Sequence, residues 1–312
     1  MARWRTCANW RAADMPYRLI YNPAAGGGRS RRVLDSLMPE LTRRGDLEVV
    51  ATRERGHATE LARQVRDRAD MVVISLGGDG THHEVVNGLL PGGQAAMSVI
   101  PAGSGNDFAG GIGVPAAPHE ALAVSFGGVR TPIDVGQVGS EYFLTVVGAG
   151  FDAEVAGLIN RQARGRGGSG KLLYLRGILS TLWTYRSHPF VFDVEQAGQA
   201  VRERSTLLLA AGNVARYGGG IRICPDADPH DGLLQVVWVG GTTKLGTLKL
   251  LSQAYSGRHV ANPLVESLQV ASFRLSGPPS MFVHADGEIV GHLPISVRAW
   301  RDALPLMLPA PP

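Results

Sequence analysis

Residues 71–90, MVVISLGGDGTHHEVVNGLL, constrain the fold more than any other stretch of this chain. The apolar run MVVISL predicts a buried strand, whereas the apolar positions after GGDGT recur with the spacing of one helical face. Gly77, Gly78 and Gly80 lie at the corner between them, and glycine, which has no Cβ, lets the backbone approach a bulky anion. Backbone N–H groups at such a corner, together with the helix dipole, attract phosphate oxygens. The stretch therefore predicts a nucleotide-phosphate loop.

Asp79 stands in the middle of this corner. A carboxylate beside a phosphate would repel it unless a metal ion lay between them, so this position indicates a magnesium nucleotide. Thr81 follows at the start of the predicted helix, and its hydroxyl could cap the helix or bind a phosphate. The two roles are compatible.

Two more glycine-rich corners repeat the order of strand, turn and helix. The first is NPAAGGG, where Asn22 could line a nucleotide site or simply begin a turn. The second is PAGSGNDFA, where Ser104 and Asn106 could bond a phosphate or close the loop. Asp107 in the same segment could hold a metal-bound water or cap a helix.

Repeated strand-helix units predict a mostly parallel sheet covered by helices. Ligands of such sheets bind at the carboxyl ends of the strands, where all three glycine corners lie. After about residue 134 the pattern changes to short β-rich segments with one helical insertion, which predicts an antiparallel second domain. We expect an α/β nucleotide-binding domain over residues 16–134 and a β-rich domain over residues 135–294. The tail, residues 295–308, could return to either sheet.

Composition narrows the class of protein. With 312 residues and 44% hydrophobic residues, the chain can bury substantial cores. The chain has only two cysteines, and they are far apart in the sequence. This count argues against a disulfide framework or a structural zinc site and favours a reducing compartment. No apolar segment reaches the roughly 18 residues needed to span a bilayer, and the N-terminus lacks the apolar core of a secretory signal. We therefore expect a soluble, cytoplasmic protein. The net charge of +4 favours anionic partners without choosing among them.

Two acidic motifs lie in the β-rich part. HADGEIV carries Asp286 and Glu288 around a glycine, and if this segment folds over the cleft one carboxylate can accept the proton of an attacking hydroxyl. A DG pair alone is often only a hairpin turn. PDADPHDGLL places Asp228 and Asp231 three residues apart, close to the carbonyl of Leu233. Such hard oxygen ligands suit magnesium or calcium, although this segment too could be a hairpin corner.

Taken in order, NPAAGGG, GGDGTHHE, PAGSGNDFA, GGGIRICPDADPHDGLL and HADGE resemble motifs of the diacylglycerol kinase and sphingosine kinase superfamily. The likeness is strongest to its soluble bacterial lipid kinases and covers about residues 16–297. NAD kinases share the GGDG loop but are not expected to show the other motifs. The resemblance implies a three-layer α/β nucleotide-binding domain packed on an antiparallel β-sandwich, with the active cleft between them.

The resemblance also implies roles for individual residues. Gly77 to Thr81 would cradle the ATP phosphates, and Thr52 and Ser104 would line the nucleotide site. Asp107 would join a water network to Mg²⁺. Glu288 would be the proton acceptor, with Asp286 as its partner or as the base itself. The carboxylates of the PDADPHDGLL segment, with the Leu233 carbonyl, match a second, structural Mg²⁺ or Ca²⁺ site.

The chain departs from the family pattern next to its phosphate loop. The family usually has Thr where Ser104 stands, a change that keeps the hydroxyl. After GGDGT the family commonly has an apolar residue and Asn, whereas this chain has His82 and His83. Glu84 is retained, and we expect activity to survive these changes.

These observations predict an ATP-dependent lipid kinase that phosphorylates a hydroxyl of a diacylglycerol-like or other lipid. An NAD kinase and a catalytically silent nucleotide-binding regulator are the alternatives. The expected partners are a lipid substrate and, transiently, an anionic membrane surface at the inner membrane face. Nucleic acid is not expected, and a homodimer is left open. A basic cluster beside the predicted helical insertion could dock on anionic lipid or be a solvated loop; it consists of Arg161, Arg164, Arg166, Lys171 and Arg176.

Overall fold

The computed structural model describes residues 16–44, 46–163, 171–194 and 201–310. Strands and helices alternate through its first part. In chain order these elements are β1 (Tyr17–Tyr21), α1 (Ala25–Leu41), β2 (Leu47–Ala51), α2 (His57–Arg63), β3 (Val72–Gly77), α3 (Asp79–Leu89), β4 (Ala96–Pro101), α4 (Asp107–Gly111) and α5 (Pro118–Gly127).

The first four strands form a parallel sheet in the order β2-β1-β3-β4. β3 and β4 are buried along their whole length, which explains their apolar sequences. The chain runs outward from β1 to β2 and then back past β1 to β3, so right-handed crossovers put α1 and α2 on opposite faces. α3 packs on α2, and α5 packs on α1. The sheet is therefore the middle layer of three.

All three glycine corners lie at the carboxyl edge of this sheet. The corner after β1 and the GGDGT corner after β3 flank the point where the strand order reverses, which is where such sheets bind ligands. The corner after β4 packs against both. A Cβ on Gly103 would lie 2.5 Å from the Cα of Gly78, and a Cβ on Gly26 would overlap the carbonyl oxygen of Ala102. The corners thus form one continuous loop cluster.

The second part of the chain is mostly antiparallel. Its elements are β5 (Val129–Val138), β6 (Glu141–Phe143), β7 (Val146–Gly150), α6 (Phe151–Ala163), α7 (Lys171–Thr184), β8 (His188–Val194), β9 (Arg202–Gly212), β10 (Leu234–Gly240), α8 (Lys244–Ala254), a 3-10 helix (Arg258–Ala261), β11 (Val265–Val270), β12 (Ser272–Ser276), β13 (Phe282–Ala285), β14 (Glu288–His292) and β15 (Ile295–Leu308).

These strands follow the order β14-β13-β7-β9-β8-β12-β15, and β10 pairs with β9 and β11. An aromatic core that includes Phe192, Trp238 and Phe273 fills the interior between the strands. A separate apolar cluster, with Ile178 and Leu250, lies beneath the helices α6, α7 and α8. The strands therefore bury apolar side chains on both faces.

The tail strand joins the hydrogen-bonding networks of the two parts. β15 pairs with β12 through its first residues, runs antiparallel to β5, and meets β4 in parallel at Leu306. One strand therefore pairs with strands of both parts. The sequence left open which of the two sheets the tail would join, and the tail joins both.

The predicted fold class, an α/β domain with an antiparallel β-sandwich domain, is confirmed. The sequence predicted one helical insertion in the second part, whereas its described residues contain three α-helices, α6, α7 and α8. Within the described residues, no helix combines the length and the apolar character needed to cross a bilayer.

Candidate active site

Two carboxylates connect the glycine corners with each other and with the second domain. Asp79, the first residue of α3, accepts a hydrogen bond from the Phe108 amide (3.1 Å) in α4. Asp107 accepts one from the Gly219 amide (2.7 Å), which belongs to a glycine-rich turn of the β-rich domain. A Cβ on Gly105 would lie 3.1 Å from Asp79 Oδ2 and 3.0 Å from Asp107 Oδ2. Both carboxylates therefore face the same small space.

The crowding of negative charge alters the ionisation of Asp79. Burial, followed by the charge of Asp107 and a smaller effect of Asp286, raises the pKa of Asp79 to about 6. Backbone hydrogen bonds from Phe108 and Asp107 oppose this shift without cancelling it. The site is thus electrostatically suited to a ligand that brings positive charge.

Asp286 is held by donors from two distant segments of the chain. It occupies the turn between β13 and β14 with a positive φ of 51°. Its Oδ1 accepts from the amide (2.7 Å) and hydroxyl (2.6 Å) of Thr145, and its Oδ2 accepts from the Leu144 amide (2.9 Å) and from His83 Nδ1 (2.9 Å). Burial would raise the pKa of Asp286, but the hydrogen bonds and charge of His83, with the bonds from Thr145 and Leu144, outweigh it and lower the pKa.

Glu288 lies two residues further on, at the start of β14, and has a different environment. Its Oε2 pairs with Arg55 Nη2 at 2.6 Å, and its side chain is 29% exposed. A Cβ on Gly80 would lie 3.8 Å from Glu288 Oε1. The Glu288 carboxylate therefore reaches the GGDGT corner across the cleft.

A cavity of about 200 Å³ lies between the corner cluster and the hairpin of β13 and β14. Asp79, Asp107 and Asp286 contribute to its wall, so the structure brings three of the predicted acidic residues together. Asp152, Tyr217 and His284 also line this cavity, together with several glycines.

The other predicted nucleotide-site residues shape the loops around this cavity. Asn22 follows β1, and its Oδ1 accepts from the Ala24 amide (3.0 Å), which closes the turn. Thr52 follows β2 next to it, and its amide donates to the Tyr21 carbonyl. Asn106 Oδ1 accepts from the Gly103 amide (2.7 Å), so Asn106 closes its own loop. Ser104 is exposed in that loop, whereas the side chain of Thr81 is buried against Gly77.

Comparison with protein families gives matches over both halves of the chain. A diacylglycerol kinase catalytic domain matches residues 16–138, and a YegS C-terminal NAD kinase beta sandwich-like domain matches residues 145–308. A Chromohalobacter salexigens protein named "Probable lipid kinase YegS-like" is 32% identical over 266 residues, 84% of each chain. The chain belongs to the diacylglycerol kinase and YegS-like lipid kinase family.

A further relative and a solved structure agree with this lipid kinase assignment. A diacylglycerol kinase of Mycobacterium tuberculosis is 29% identical over 298 residues, which is 93% of this chain and 94% of the relative. A crystal structure of a candidate diacylglycerol kinase from Bacillus anthracis superposes with a TM-score of 0.78 at 26% identity and covers 98% of both chains. The chain is therefore an enzyme of the lipid kinase class.

Kinases of this family are expected to use a divalent cation, and the cavity offers carboxylates for one. Among the described residues, no three His, Cys, Asp or Glu side chains converge closely enough to hold an ion by themselves. Mg²⁺, however, commonly binds one or two carboxylates together with substrate phosphates and water. Asp79 and Asp107, which face a common point beside the phosphate corner, fit that pattern.

The second metal site that the sequence suggested lies away from this cavity. Asp228 Oδ1 accepts from the His230 amide (3.1 Å) and Asp231 Oδ1 accepts from the Leu233 amide (2.8 Å), so each carboxylate closes a turn. These hydrogen bonds use only the Oδ1 atoms, so the Oδ2 atom of each carboxylate is available to an ion. A structural Mg²⁺ or Ca²⁺ on Asp228, Asp231 and the Leu233 carbonyl stays a prediction.

Sequence reasoning did not predict the partners of the acidic residues, among which two have ionisable side chains. His83 bonds Asp286 and Arg55 pairs with Glu288. The departure from the family pattern at His83 was a signal, but its partner lies 203 residues away in the sequence. Arg55 stands in an exposed loop after β2 with no motif around it, so nothing in the sequence singled it out.

Proposed function

We propose that this lipid kinase transfers the γ-phosphoryl group of Mg-ATP to a hydroxyl of a diacylglycerol-like or other neutral lipid. The observation that carries the proposal is the approach of Glu288, from the β-rich domain, to Gly80 in the phosphate corner of the other domain. Phosphoryl transfer to an alcohol requires chiefly a proton acceptor, a cation and correct positioning. The cleft offers suitable groups for each.

In the proposed reaction, the lipid hydroxyl oxygen attacks the γ-phosphorus and forms a new O–P bond. The bond between the γ-phosphorus and the β,γ-bridging oxygen breaks, and ADP leaves with the electron pair. The hydroxyl proton passes to the Glu288 carboxylate. Backbone amides of the GGDGT corner would hold the phosphates, and Mg²⁺ near Asp79 and Asp107 would neutralise their charge.

Glu288 is the better candidate for the base because both carboxylate oxygens of Asp286 already accept hydrogen bonds from the protein. Each Asp286 oxygen accepts two close hydrogen bonds from the protein, and its lowered pKa makes it a weak proton acceptor. Asp286 instead fixes the hairpin that carries Glu288. We therefore propose Glu288 as the base and Asp286 as the residue that positions it.

An apolar cavity beneath the helices supports a lipid as the acceptor. It measures about 50 Å³ and is lined by side chains that include Phe151, Val155, Ile178, Leu208, Ile223 and Leu250. This volume suits a few methylene groups, so we propose that it receives the first part of an acyl chain. An acceptor dinucleotide such as NAD would bring ribose and phosphate groups, for which such a lining is unsuitable.

A lipid kinase must meet its substrate at a membrane, and the helices α7 and α8 present suitable side chains. Trp183 is 71% exposed and Leu245 79% exposed, and Lys244 donates to the Trp183 carbonyl (2.7 Å), so the two helices meet there. We propose that this apolar patch with its adjacent lysine docks transiently on an anionic bilayer at the cytoplasmic face.

Only part of the basic cluster that the sequence suggested lies within the described residues. Arg161 and Arg176 are exposed on α6 and α7. Arg164 and Arg166 lie outside the described residues, as does the side chain of Lys171.

The test is phosphoryl transfer from γ-labelled ATP and Mg²⁺ to diacylglycerol, monoacylglycerol and NAD, with lipids presented in mixed micelles. We expect label on lipid for the wild-type protein and a loss of at least about 100-fold in kcat for Asp79→Ala and Glu288→Ala. Asp35→Ala, on the exposed side of α1, and Glu203→Ala, on the exposed side of β9, are matched controls that should retain wild-type rates.

Each alternative gives a distinct result in this assay. Label on NAD alone would replace the lipid kinase proposal with an NAD kinase. Nucleotide binding without transfer to any acceptor would favour a silent regulator. Near-wild-type turnover in Glu288→Ala would remove Glu288 from the role of base.

A further inference from the structure

A buried aspartate and histidine face the catalytic cavity without a role in the proposed chemistry. Asp152 and His284 each have a side chain only 1% exposed, and Asp152 Oδ2 lies 3.1 Å from His284 Nε2. The pair belongs to the β-rich domain, with Asp152 in the first turn of α6 and His284 in β13. Burying a charged group is unfavourable unless it is paired and hydrogen-bonded, so a buried pair of this kind points to a structural or functional role.

The local backbone is shaped around this pair. β13 pairs with β7 so that His284 lies opposite Gly148, and a Cβ on Gly148 would overlap Asp152 Oδ2 and lie 2.6 Å from His284 Nε2. The Gly287 amide donates to His284 Nδ1 (3.3 Å), which places the ring proton on Nε2, where it is donated to Asp152. The His284 ring also lies parallel to that of Tyr217, at an interplanar angle of 2°.

Asp152 stands between the two cavities of the site. It lines the catalytic cavity that also contains Asp79 and Asp107, and it lines the apolar cavity beneath the helices. Within the part of the chain that the structure describes, Tyr217 is the other residue that the two linings share. A lipid whose hydroxyl reacts in the first cavity and whose chain enters the second must therefore pass its polar linker beside Asp152.

The pair presents hydrogen-bond acceptors to that linker. Asp152 Oδ1 accepts from the Ala153 amide (2.9 Å) and Oδ2 from His284, which leaves about two of the roughly four lone-pair positions of a carboxylate. The one ring N–H of His284 is already given to Asp152. An ester oxygen, which can only accept, gains no hydrogen bond from this pair, whereas a hydroxyl does.

We propose that Asp152, oriented by His284, accepts a hydrogen bond from a second hydroxyl next to the reacting one, and so selects acceptor lipids that carry two neighbouring hydroxyls. The inference rests on the proposed lipid kinase function and names its substrate class: single-chain glycerolipids of the monoacylglycerol type, in preference to lipids with only the reacting hydroxyl. Asp152 is a specificity-determining residue and His284 is a positioning residue for it.

The experiment compares two lipids that differ by a single hydroxyl. They are 1-monooleoylglycerol and the mono-oleoyl ester of 1,3-propanediol, both in the same mixed micelles with saturating ATP. For the wild-type protein, kcat/KM should be about 10- to 100-fold higher for monooleoylglycerol, since a hydrogen bond to a charged group is strong when buried. This comparison needs no variant and stays decisive if a substitution prevents folding.

Variants then assign the preference to the pair. Asp152→Ala should bring the ratio of kcat/KM for the two lipids to within about threefold, and His284→Ala should reduce it partly, with the KM for ATP unchanged in both. Asp193→Ala, an aspartate in β8 that lines neither cavity, should keep the full ratio. A purely structural defect would lower both rates together and leave their ratio intact.

The outcomes separate this inference from the proposed function. Transfer to both lipids at equal efficiency by the wild-type protein would overturn the inference and leave the lipid kinase proposal standing. A full ratio in folded Asp152→Ala, checked by circular dichroism, would also overturn it. Absence of transfer to every lipid would overturn both.

Discussion

Asp286 and Glu288 stand two residues apart, yet substitutions at the two positions should affect different properties, stability at Asp286 and turnover at Glu288. Asp286→Ala leaves His83 and the Leu144 and Thr145 amides without their acceptor, so we expect the free energy of unfolding to fall by about 3–5 kcal/mol. Glu288→Ala removes a partly exposed ion pair worth about 0–1 kcal/mol but should lower kcat by about 100- to 10,000-fold. Urea unfolding and initial-rate assays on both variants check this contrast. A stable Asp286→Ala variant would contradict the positioning role.

His83 should make stability depend on pH near neutrality. Burial lowers the pKa of His83, but the hydrogen bond and charge of Asp286, with Glu141 and Glu288 nearby, outweigh it and raise the pKa above the usual 6.5. A raised pKa means that the folded state binds the proton more tightly than the unfolded state. The stabilisation is therefore complete below about pH 6.5 and is lost as pH rises through the folded-state pKa.

The substitution His83→Asn, which replaces the imidazole with a side chain that does not titrate, isolates this effect. Relative to the variant, the wild-type protein should lose stability in urea unfolding as the pH rises above about 6.5, whereas the exposed control His230→Asn should follow the wild-type curve. Parallel curves for wild type and His83→Asn would show that His83 does not bind a proton more tightly in the folded state. Asp286 should contribute to the pH dependence of stability only at acidic pH. Because the pKa of Asp286 is lowered in the folded state, the stabilisation that its carboxylate provides is lost as pH falls through that folded-state pKa.

For single residues, sequence patterns located the acidic side chains of the site but not the residues that hydrogen-bond to them. Asp79 follows from its glycine-rich corner, and the DGE segment follows from its resemblance to a family motif. The distinction between Asp286 and Glu288 depends on donors contributed by distant segments, which no local pattern reveals. Asp152 escaped notice for the same reason, because its partner His284 lies 132 residues further along the chain.

Among the elements, the contact between two glycine corners should be sensitive to added volume. A Cβ at Gly103 would lie 2.5 Å from the Gly78 Cα and 2.9 Å from Asn106 Oδ1, so Gly103→Ala must push the corners apart. We expect a loss of about 1–3 kcal/mol in stability and a higher KM for ATP. Gly127→Ala is the matched control, because a Cβ there meets nothing within 4 Å, and it should be neutral or slightly stabilising. Thermal unfolding and ATP titration distinguish the two, and equal behaviour would argue against close packing of the corners.

The elements were predictable where periodicity was strong. The parallel strands and the helices after them follow from apolar runs and glycine corners. α6 and α8 were missed because each interrupts a β-rich region, and α8 includes Gly246 and β-branched threonine rather than a continuous apolar stripe. Their formation depends on packing over the sheet, where Val155 and Leu250 are buried in a common cluster. Tertiary contacts of that kind are not encoded in local propensity.

For the whole molecule, the proposed orientation on a membrane gives the last prediction. Trp183 and Leu245 project from neighbouring helices, and Lys244 lies 4.6 Å from the centre of the Trp183 ring, so an apolar surface and a positive charge coincide. The double variant Trp183→Ala with Leu245→Ala should weaken binding to vesicles of anionic phospholipid by at least about tenfold. Val201→Ala, at an exposed apolar residue elsewhere, should have no effect.

Salt separates the two contributions to this binding. The lysine contribution should weaken as ionic strength rises, whereas the contribution of the apolar pair should persist, so wild-type binding falls with salt towards a residual level that the double variant lacks. Activity towards a short-chain lipid dissolved as monomers should be the same in wild type and double variant, because neither side chain lines the catalytic cavity. Vesicle sedimentation at several salt concentrations, with this activity as the control for folding, is the measurement. Unchanged vesicle binding by an active double variant would mean that the molecule approaches the membrane through another face.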